Sequence, residues 1–288
     1  MAKYLLRSII ENMNWNAAKS KKCIVIPKSY DHKYSRGVLG VITGSAQYPG
    51  AAVLSTSAAV ATGVGMVRFY SSSGLAHLVL HSTPEVVVQP GAVTAWVAGS
   101  GIVGNKFDDH TTWLRHRWFK VIGLQSVPTI LDAGALYLAD KLEQPTLITP
   151  HAGELAKLLA NYGIEVLADE ISDDPKRWAQ ECADILGVTV LLKGNRTVVA
   201  NNEMIIELPA ATPWLATAGS GDVLSGIIGA IAATSEIEIL SSPNRFAEIA
   251  ATGAFIHDRA AQLASNGGPI SASMIIEQIP AAIRKILG

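Results

Sequence analysis

Short continuous apolar runs alternate along this chain with longer stretches whose apolar positions recur at helical spacing. Val38–Thr43, Met66–Tyr70, Val86–Val88, Ala95–Ala98, Thr129–Asp132, Thr146–Thr149 and Val188–Leu192 are predicted to be strands, apolar on both faces. Ala51–Thr62, Asp108–Arg117, Ala133–Lys141, Leu155–Asn161 and Pro175–Leu186 are predicted helices between them. Val198–Ala200 and Met204–Glu207 flank Asn201-Asn202, which predicts a hairpin. Val223, Leu224, Ile227, Ile228 and Ile231 share one helical face, so a helix begins at about Gly221. Arg245–Ala264 and Met274–Leu287 are two closing helices, and residues 1–35 read as an N-terminal helix and a polar lead-in.

Strand and helix alternate throughout, with no Pro/Ser-rich linker and no repeat. That predicts a single α/β domain over residues 1–288, with 1–30 as lead-in and a central, mostly parallel sheet. Glycine-rich turns follow several of the strands, which puts a crevice at the strands' C-terminal ends.

Composition narrows the picture. Hydrophobic residues make up 49% and charged residues only 16%, as suits a sheet buried on both faces. A net charge of -1 without a basic block argues against a nucleic-acid surface. From Gly37 to Val67 no residue is charged, a length that could span a bilayer, but Gly44-Ser45-Ala46-Gln47-Tyr48-Pro49-Gly50 interrupts it with a loop. Arg7 and Glu11 within the N-terminal apolar pattern argue against a secretory signal. Cys23 and Cys182 form no metal spacing and suit a reducing, cytoplasmic compartment.

The chemistry centres on Thr217-Ala218-Gly219-Ser220-Gly221-Asp222, a turn of small residues entering the Val223 helix. Unpaired N–H groups at a helix start hold phosphate oxygens, and glycines let a ligand approach the backbone. Asp222 in the first turn can cap the helix or take a proton from a hydroxyl that attacks a bound phosphate. Around it stand weaker candidates: the Gly44–Gly50 loop, the Gly99–Gly104 turn, Asp132 at a strand end, His151 in Pro150-His151-Ala152-Gly153, and Lys193-Gly194 after a strand. Glu154 reads as a helix cap and His257 as a packing or hydrogen-bonding residue. The chain has no P-loop, no H-E-x-x-H and no Rossmann spacing after Gly99.

Taken in order, these motifs resemble a known family. Asp31–Gly37, Gly44-Ser45 with Tyr48–Ala52, Thr149-Pro150-His151-Ala152-Gly153-Glu154, Lys193-Gly194 with Thr197, and Leu215–Asp222 are similar to the NAD(P)H-hydrate dehydratases of the ribokinase-like superfamily. The resemblance covers roughly residues 30–265. It implies a ribokinase-like fold with helices on both faces of the sheet. It also implies ADP-dependent dehydration of (6S)-NADHX or NADPHX to NADH or NADPH, with release of AMP and phosphate, in a homotetramer. The epimerase of that repair pathway is expected to be a separate chain.

By position, the resemblance makes Asp222 the catalytic base. It assigns Lys193, Gly194, Asn195, Arg196, Thr197, Thr217, Ala218, Gly219, Ser220 and Gly221 to the nucleotide. Ala51, Gly101, Gly104 and His151, with Asp222, fall to the hydrated substrate. Mg²⁺ would bridge the phosphates through water, with no protein metal ligand. Two departures stand out: Gly134 replaces an acid in Asp132-Ala133-Gly134-Ala135-Leu136, and Ala98-Gly99-Ser100-Gly101 replaces a Gly-Pro-Gly form. A vitamin-precursor or sugar kinase of the same superfamily, and a nucleotide-sensing module without turnover, are the alternatives.

Overall fold

A computed structural model describes residues 11–103 and 115–288. Among these residues nine strands form one sheet: β1 (Glu11–Asn14), β2 (Val38–Ile42), β3 (Met66–Phe69), β4 (Ala95–Ala98), β5 (Thr129–Leu131), β6 (Thr146–Ile148), β7 (Thr189–Leu192), β8 (Val198–Ala200) and β9 (Met204–Glu207). Their order is β1-β9-β8-β7-β6-β5-β4-β2-β3. Every pairing is parallel except β7 with β8 and β8 with β9, so β8 alone runs against the rest.

Alternation along each strand splits the core in two. Leu39, Val41, Val67, Val97, Ile130, Leu147 and Leu191 face one layer, which holds α2 (Pro49–Thr62), α7 (Ser220–Thr234), α9 (Pro243–Ser265) and α10 (Ala272–Leu287). Val38, Ile42, Trp96, Leu131, Ile148, Val190 and Leu192 face the other, with α4 (Ala152–Ala160) and α6 (Pro175–Leu186). Burial on both faces explains why the strands read as unbroken apolar runs. Shorter helices among the described residues include α1 (Ala17–Lys21), α3 (Ser73–Ser82), α5 (Ala168–Asp173) and α8 (Glu236–Ser241).

The chain passes from β2 outward to β3 and then back across β2 to β4. Loops leaving β2 and β4 therefore diverge at the β2/β4 boundary and open a crevice at the strands' C-terminal ends. The first turn beyond each strand remains tied to its neighbour: Gly44 N–H donates to the Ser100 carbonyl at 2.8 Å and Gly99 N–H to the Ile42 carbonyl at 3.0 Å.

Three expectations are corrected. Residues 11–14 are not helical; they add to the sheet edge as β1, beside β9, and only α1 follows, capped by Asn16 Oδ1 accepting from Lys19 N–H. Val86–Val88 forms no strand; Val87 makes a lone bridge to Arg68. The stretch after Tyr70, left without an element, contains α3, with Leu75, Ala76 and Val79 turned inward. Gly104 and most of the predicted 108–117 helix lie outside the described residues. Among the described residues no helix is long and apolar enough to cross a membrane. Cys23 and Cys182 are both free and buried.

Candidate active site

The centre is the turn entering α7. Gly219 has φ +85°, a left-handed conformation that side-chain-bearing residues rarely adopt, and a Cβ there would lie 2.4 Å from Leu54 Cδ1 of α2. Only glycine satisfies both demands. No side chain caps the start of α7; the Ser220 N–H donates to the Thr217 carbonyl at 3.4 Å within the turn itself. Asp222, in the first turn, is half-buried.

Behind the turn lies a charged network. Lys193 Nζ sits 2.9 Å from Asp132 Oδ1 and 3.6 Å from Glu154 Oε2, and a Cβ on Gly221 would be 3.8 Å from the same Nζ. Asp132 is 4% exposed and also accepts from the Ser100 and Thr149 hydroxyls, both at 2.9 Å. Burial would raise its pKa, but the Lys193 charge and these hydrogen bonds outweigh burial and hold it below the ordinary carboxylate range. Burial likewise opposes the charge on Lys193, and Asp132 with Glu154 outweighs it, so the ammonium is held charged. For Asp222 the balance goes the other way. Burial and the nearby Asp132 charge push its pKa up to about 6, only partly offset by Lys193. One carboxylate is thus fixed as an anion, and its neighbour is poised near neutrality as a base.

A cavity of about 840 Å³ opens from this centre. Of the residues assigned to a nucleotide, Lys193, Gly194, Asn195, Thr197, Thr217, Ser220 and Gly221 line it. Gly219 shapes the turn from behind and Ala218 is exposed beside it. Arg196 does not line this cavity: its guanidinium pairs with Glu207 at 3.5 Å and lines an adjoining 610 Å³ cavity that shares Lys193, Gly194 and Asn195 with the first. Pro213, Leu215, Ala254, His257 and Asp258 also line the first cavity. His257 is 6% exposed, its Nε2 lies 3.3 Å from Ser220 Oγ, and burial pushes its pKa down to about 4, so it stays neutral. It packs and hydrogen-bonds, as its helical setting suggested. Asp258 accepts from Thr212 N–H at 2.8 Å and so ties down the cavity's lip, a long-range contact that no local sequence signal announces.

The substrate-side residues fall into two places. Ala51, Gly101 and the Gly44 loop meet at the β2/β4 crevice, where a Cβ on Gly101 would lie 2.3 Å from Ala51 Cβ and 3.3 Å from Gly44 Cα. Leu54, one turn along α2 from Ala51, connects this floor to Gly219. His151 instead lines the large cavity on the Lys193 side. Its Nδ1 accepts from the Gly153 and Glu154 N–H groups while Glu154 Oε2 accepts from His151 N–H, a reciprocal cap for α4. Its side chain is 60% exposed. The missing acid at Gly134 has a steric reason: a Cβ there would lie 2.2 Å from the Ile102 carbonyl oxygen.

Among the described residues no three acidic, histidine or cysteine side chains lie close enough to form a metal cage. Asp132, the most buried acid of the site, is already occupied by Lys193, Ser100 and Thr149.

The molecule is similar to several known proteins. It is 43% identical over 223 residues to the bifunctional NAD(P)H-hydrate repair enzyme Nnr of Mycobacterium tuberculosis, covering 73% of this chain and 43% of that one. The chain thus spans about half the length of the first relatives it matches. It is 31% identical over 280 residues to an ADP-dependent (S)-NAD(P)H-hydrate dehydratase of Neisseria meningitidis, covering 88% of this chain and 86% of that one. The crystal structure of an ADP/ATP-dependent NAD(P)H-hydrate dehydratase from Bacillus subtilis, co-crystallized with ATP and Mg²⁺, superimposes with a TM-score of 0.78 at 22% identity, covering 95% and 98% of the two chains. The nine-stranded arrangement is therefore the ribokinase-like α/β fold. The family model for NAD(P)H-hydrate dehydratase matches residues 39–281, and the chain belongs to that family.

Proposed function

We propose that this protein dehydrates (6S)-NADHX and NADPHX to NADH and NADPH, consuming ADP and releasing AMP and phosphate. The observation that carries the reading is Asp222. It is half-buried, poised near pH 6, and stands at the mouth of an uncapped helix whose glycine turn faces Lys193. A plain helix cap has no need of such a poise.

Hydroxide is a poor leaving group, and phosphorylation cures that. The substrate hydroxyl attacks the β-phosphorus of ADP while Asp222 takes its proton, and AMP departs. The N–H groups of the Gly219–Gly221 turn and the Lys193 ammonium oppose the charge that grows on the phosphoryl oxygens. The ring nitrogen's lone pair then expels phosphate, a proton leaves the neighbouring ring carbon, and the dihydronicotinamide is restored. The nucleotide would fill the cavity lined by Lys193, Gly194, Asn195, Thr197, Thr217, Ser220 and Gly221. The hydrated ring would lie over Ala51 and Gly101. Magnesium would enter with the nucleotide as the counter-ion of its phosphates.

ADP rather than ATP is supported by the meningococcal relative, an ADP-dependent dehydratase, and by the Pro150-His151-Ala152-Gly153-Glu154 loop of this chain, whose form resembles that of ADP-using members. Action in the cytoplasm as a homotetramer belongs to the same reading, with the epimerase outside residues 1–288. Two free, buried cysteines accord with a reducing compartment. The deciding assay follows dihydronicotinamide absorbance on adding protein to NADHX with Mg²⁺ and either ADP or ATP. A rise with ADP and release of AMP is expected. A rise only with ATP overturns the nucleotide choice. A stable phosphorylated product from some other hydroxyl compound, with no rise, would mark a kinase.

A further inference from the structure

Arg115 is charged, 3% exposed and remote from the Asp222 turn in sequence. Its guanidinium donates to three backbone carbonyls: Nε to Gly44 at 2.8 Å, one terminal nitrogen to Thr43 at 2.6 Å and the other to Tyr70 at 2.8 Å. Thr43 and Gly44 begin the loop leaving β2, and Tyr70 is the residue just past β3. These carbonyls lie beyond the last rungs of the ladder and have lost their strand partners, so each needs a donor from elsewhere. A planar fork supplies three in fixed directions. The Phe69 ring, 5.7 Å from the guanidinium carbon, covers one side. Burial lowers its pKa only to about 10, so it stays a cation at any working pH.

Burying a cation is costly, and a fold that needed only to end two strands could do so with neutral groups. What the arrangement achieves is a rigid start for the Gly44–Gly50 loop, whose Gly44 N–H is also bonded to the Ser100 carbonyl next to Gly101 and whose far end leads into Ala51. We infer that Arg115 is a positioning residue that staples the β2 loop to the end of β3 and so sets the floor on which the hydrated dinucleotide rests. This rests on the substrate reading above for its functional half. The staple itself does not depend on that reading. Arg115 lies outside the cavity assigned to ADP, so its effect is confined to one of the two co-substrates.

The test compares wild-type protein with Arg115→Met and Arg115→Lys. Amide hydrogen exchange is read over residues 43–51 and 69–72, with α7 as internal control, and ADP affinity is measured by calorimetry. Both variants should exchange faster over the two loop segments, leave α7 unchanged and bind ADP within about twofold of wild type. Steady-state kinetics should show kcat/KM for NADHX falling roughly tenfold to a hundredfold, the range a small misplacement of a bound substrate produces. KM for ADP should hardly move. Arg115→Lys keeps stem and charge and reads the loop in a folded protein should Arg115→Met fold poorly. It should fail to rescue, because one ammonium cannot span three carbonyls. Unchanged loop exchange in a folded variant, full rescue by lysine, or equal damage to ADP affinity would each overturn the staple. Wild-type protein that never turns over NADHX would sink the proposed reaction instead, and the exchange data would still judge Arg115.

Discussion

Replacing Asp222 with asparagine keeps the shape of the site and removes the base. The proposed reaction should slow by roughly two to four orders of magnitude, the usual loss for a positioned general base. The same change should stabilise the fold. In wild type the Asp222 pKa is about 6, against an ordinary 3.8, because burial and the Asp132 charge disfavour the ionised form. The folded state therefore binds a proton more tightly than the unfolded state. That stabilisation is present in full below about pH 3.8 and is lost as pH rises through about 6. Near pH 7.5 the folded protein carries an ionised group in a site that opposes it. A shift of about two units corresponds to about 3 kcal/mol at most, and less after allowance for the side chain's partial exposure. Asp222→Asn should thus gain about 1–3 kcal/mol near neutrality, roughly 2–5 °C in Tm for a chain of this length. The gain should shrink to nothing on titrating toward pH 4.

Two measurements check this. Thermal melts of both proteins across pH should show a gap that opens between about pH 4 and 6 and then stays constant. The wild-type profile of kcat/KM, which reports the free enzyme, should fall about tenfold per unit on the acid side of a midpoint near 6. Near-normal turnover by a folded Asp222→Asn protein would refute the base assignment. A stability gap that does not change with pH would refute the account of its pKa.

Three further outcomes follow from the same geometry. Asp132→Asn removes the like charge beside Asp222, so the acid limb of the kcat/KM profile should move to lower pH, and loss of the buried partner of Lys193 should cost about 3–5 kcal/mol in denaturant melts. Gly219→Ala places a side chain at φ +85° and against Leu54, which should cost about 1–3 kcal/mol and abolish measurable ADP binding by calorimetry. Gly134→Asp, which restores the acid common in the family, should destabilise by about 1–3 kcal/mol in chemical unfolding because its Cβ meets the Ile102 carbonyl oxygen; a neutral effect would mean that the 102–103 backbone yields readily.

Much of this molecule was legible in the order of its residues. Strands buried on both faces must be apolar throughout, so β2, β4 and β7 announce themselves in any window of the chain. The small-residue turn before Asp222 is equally local, since a left-handed φ and an uncapped helix start demand glycine within a few positions. Elements whose stability comes from the partner they meet were not legible. The polar Glu11–Asn14 segment is a strand only because β9 offers an open edge, and α3 holds through a few inward side chains on an otherwise exposed surface. The site divides in the same way. Lys193, Gly194 and Ser220 could be proposed from local pattern, whereas the pairing of Arg196 with Glu207, which places it in the adjoining cavity, joins residues eleven apart at two strands' ends and has no local signal. Nothing near Arg115 in sequence points to Thr43, Gly44 and Tyr70, and nothing near Asp222 points to the Asp132 charge that raises its pKa. Propensity and periodicity act over a few residues and are written in the chain. Desolvation, charge coupling and the pairing of orphaned carbonyls depend on what folding brings into contact, and those only the tertiary structure decides.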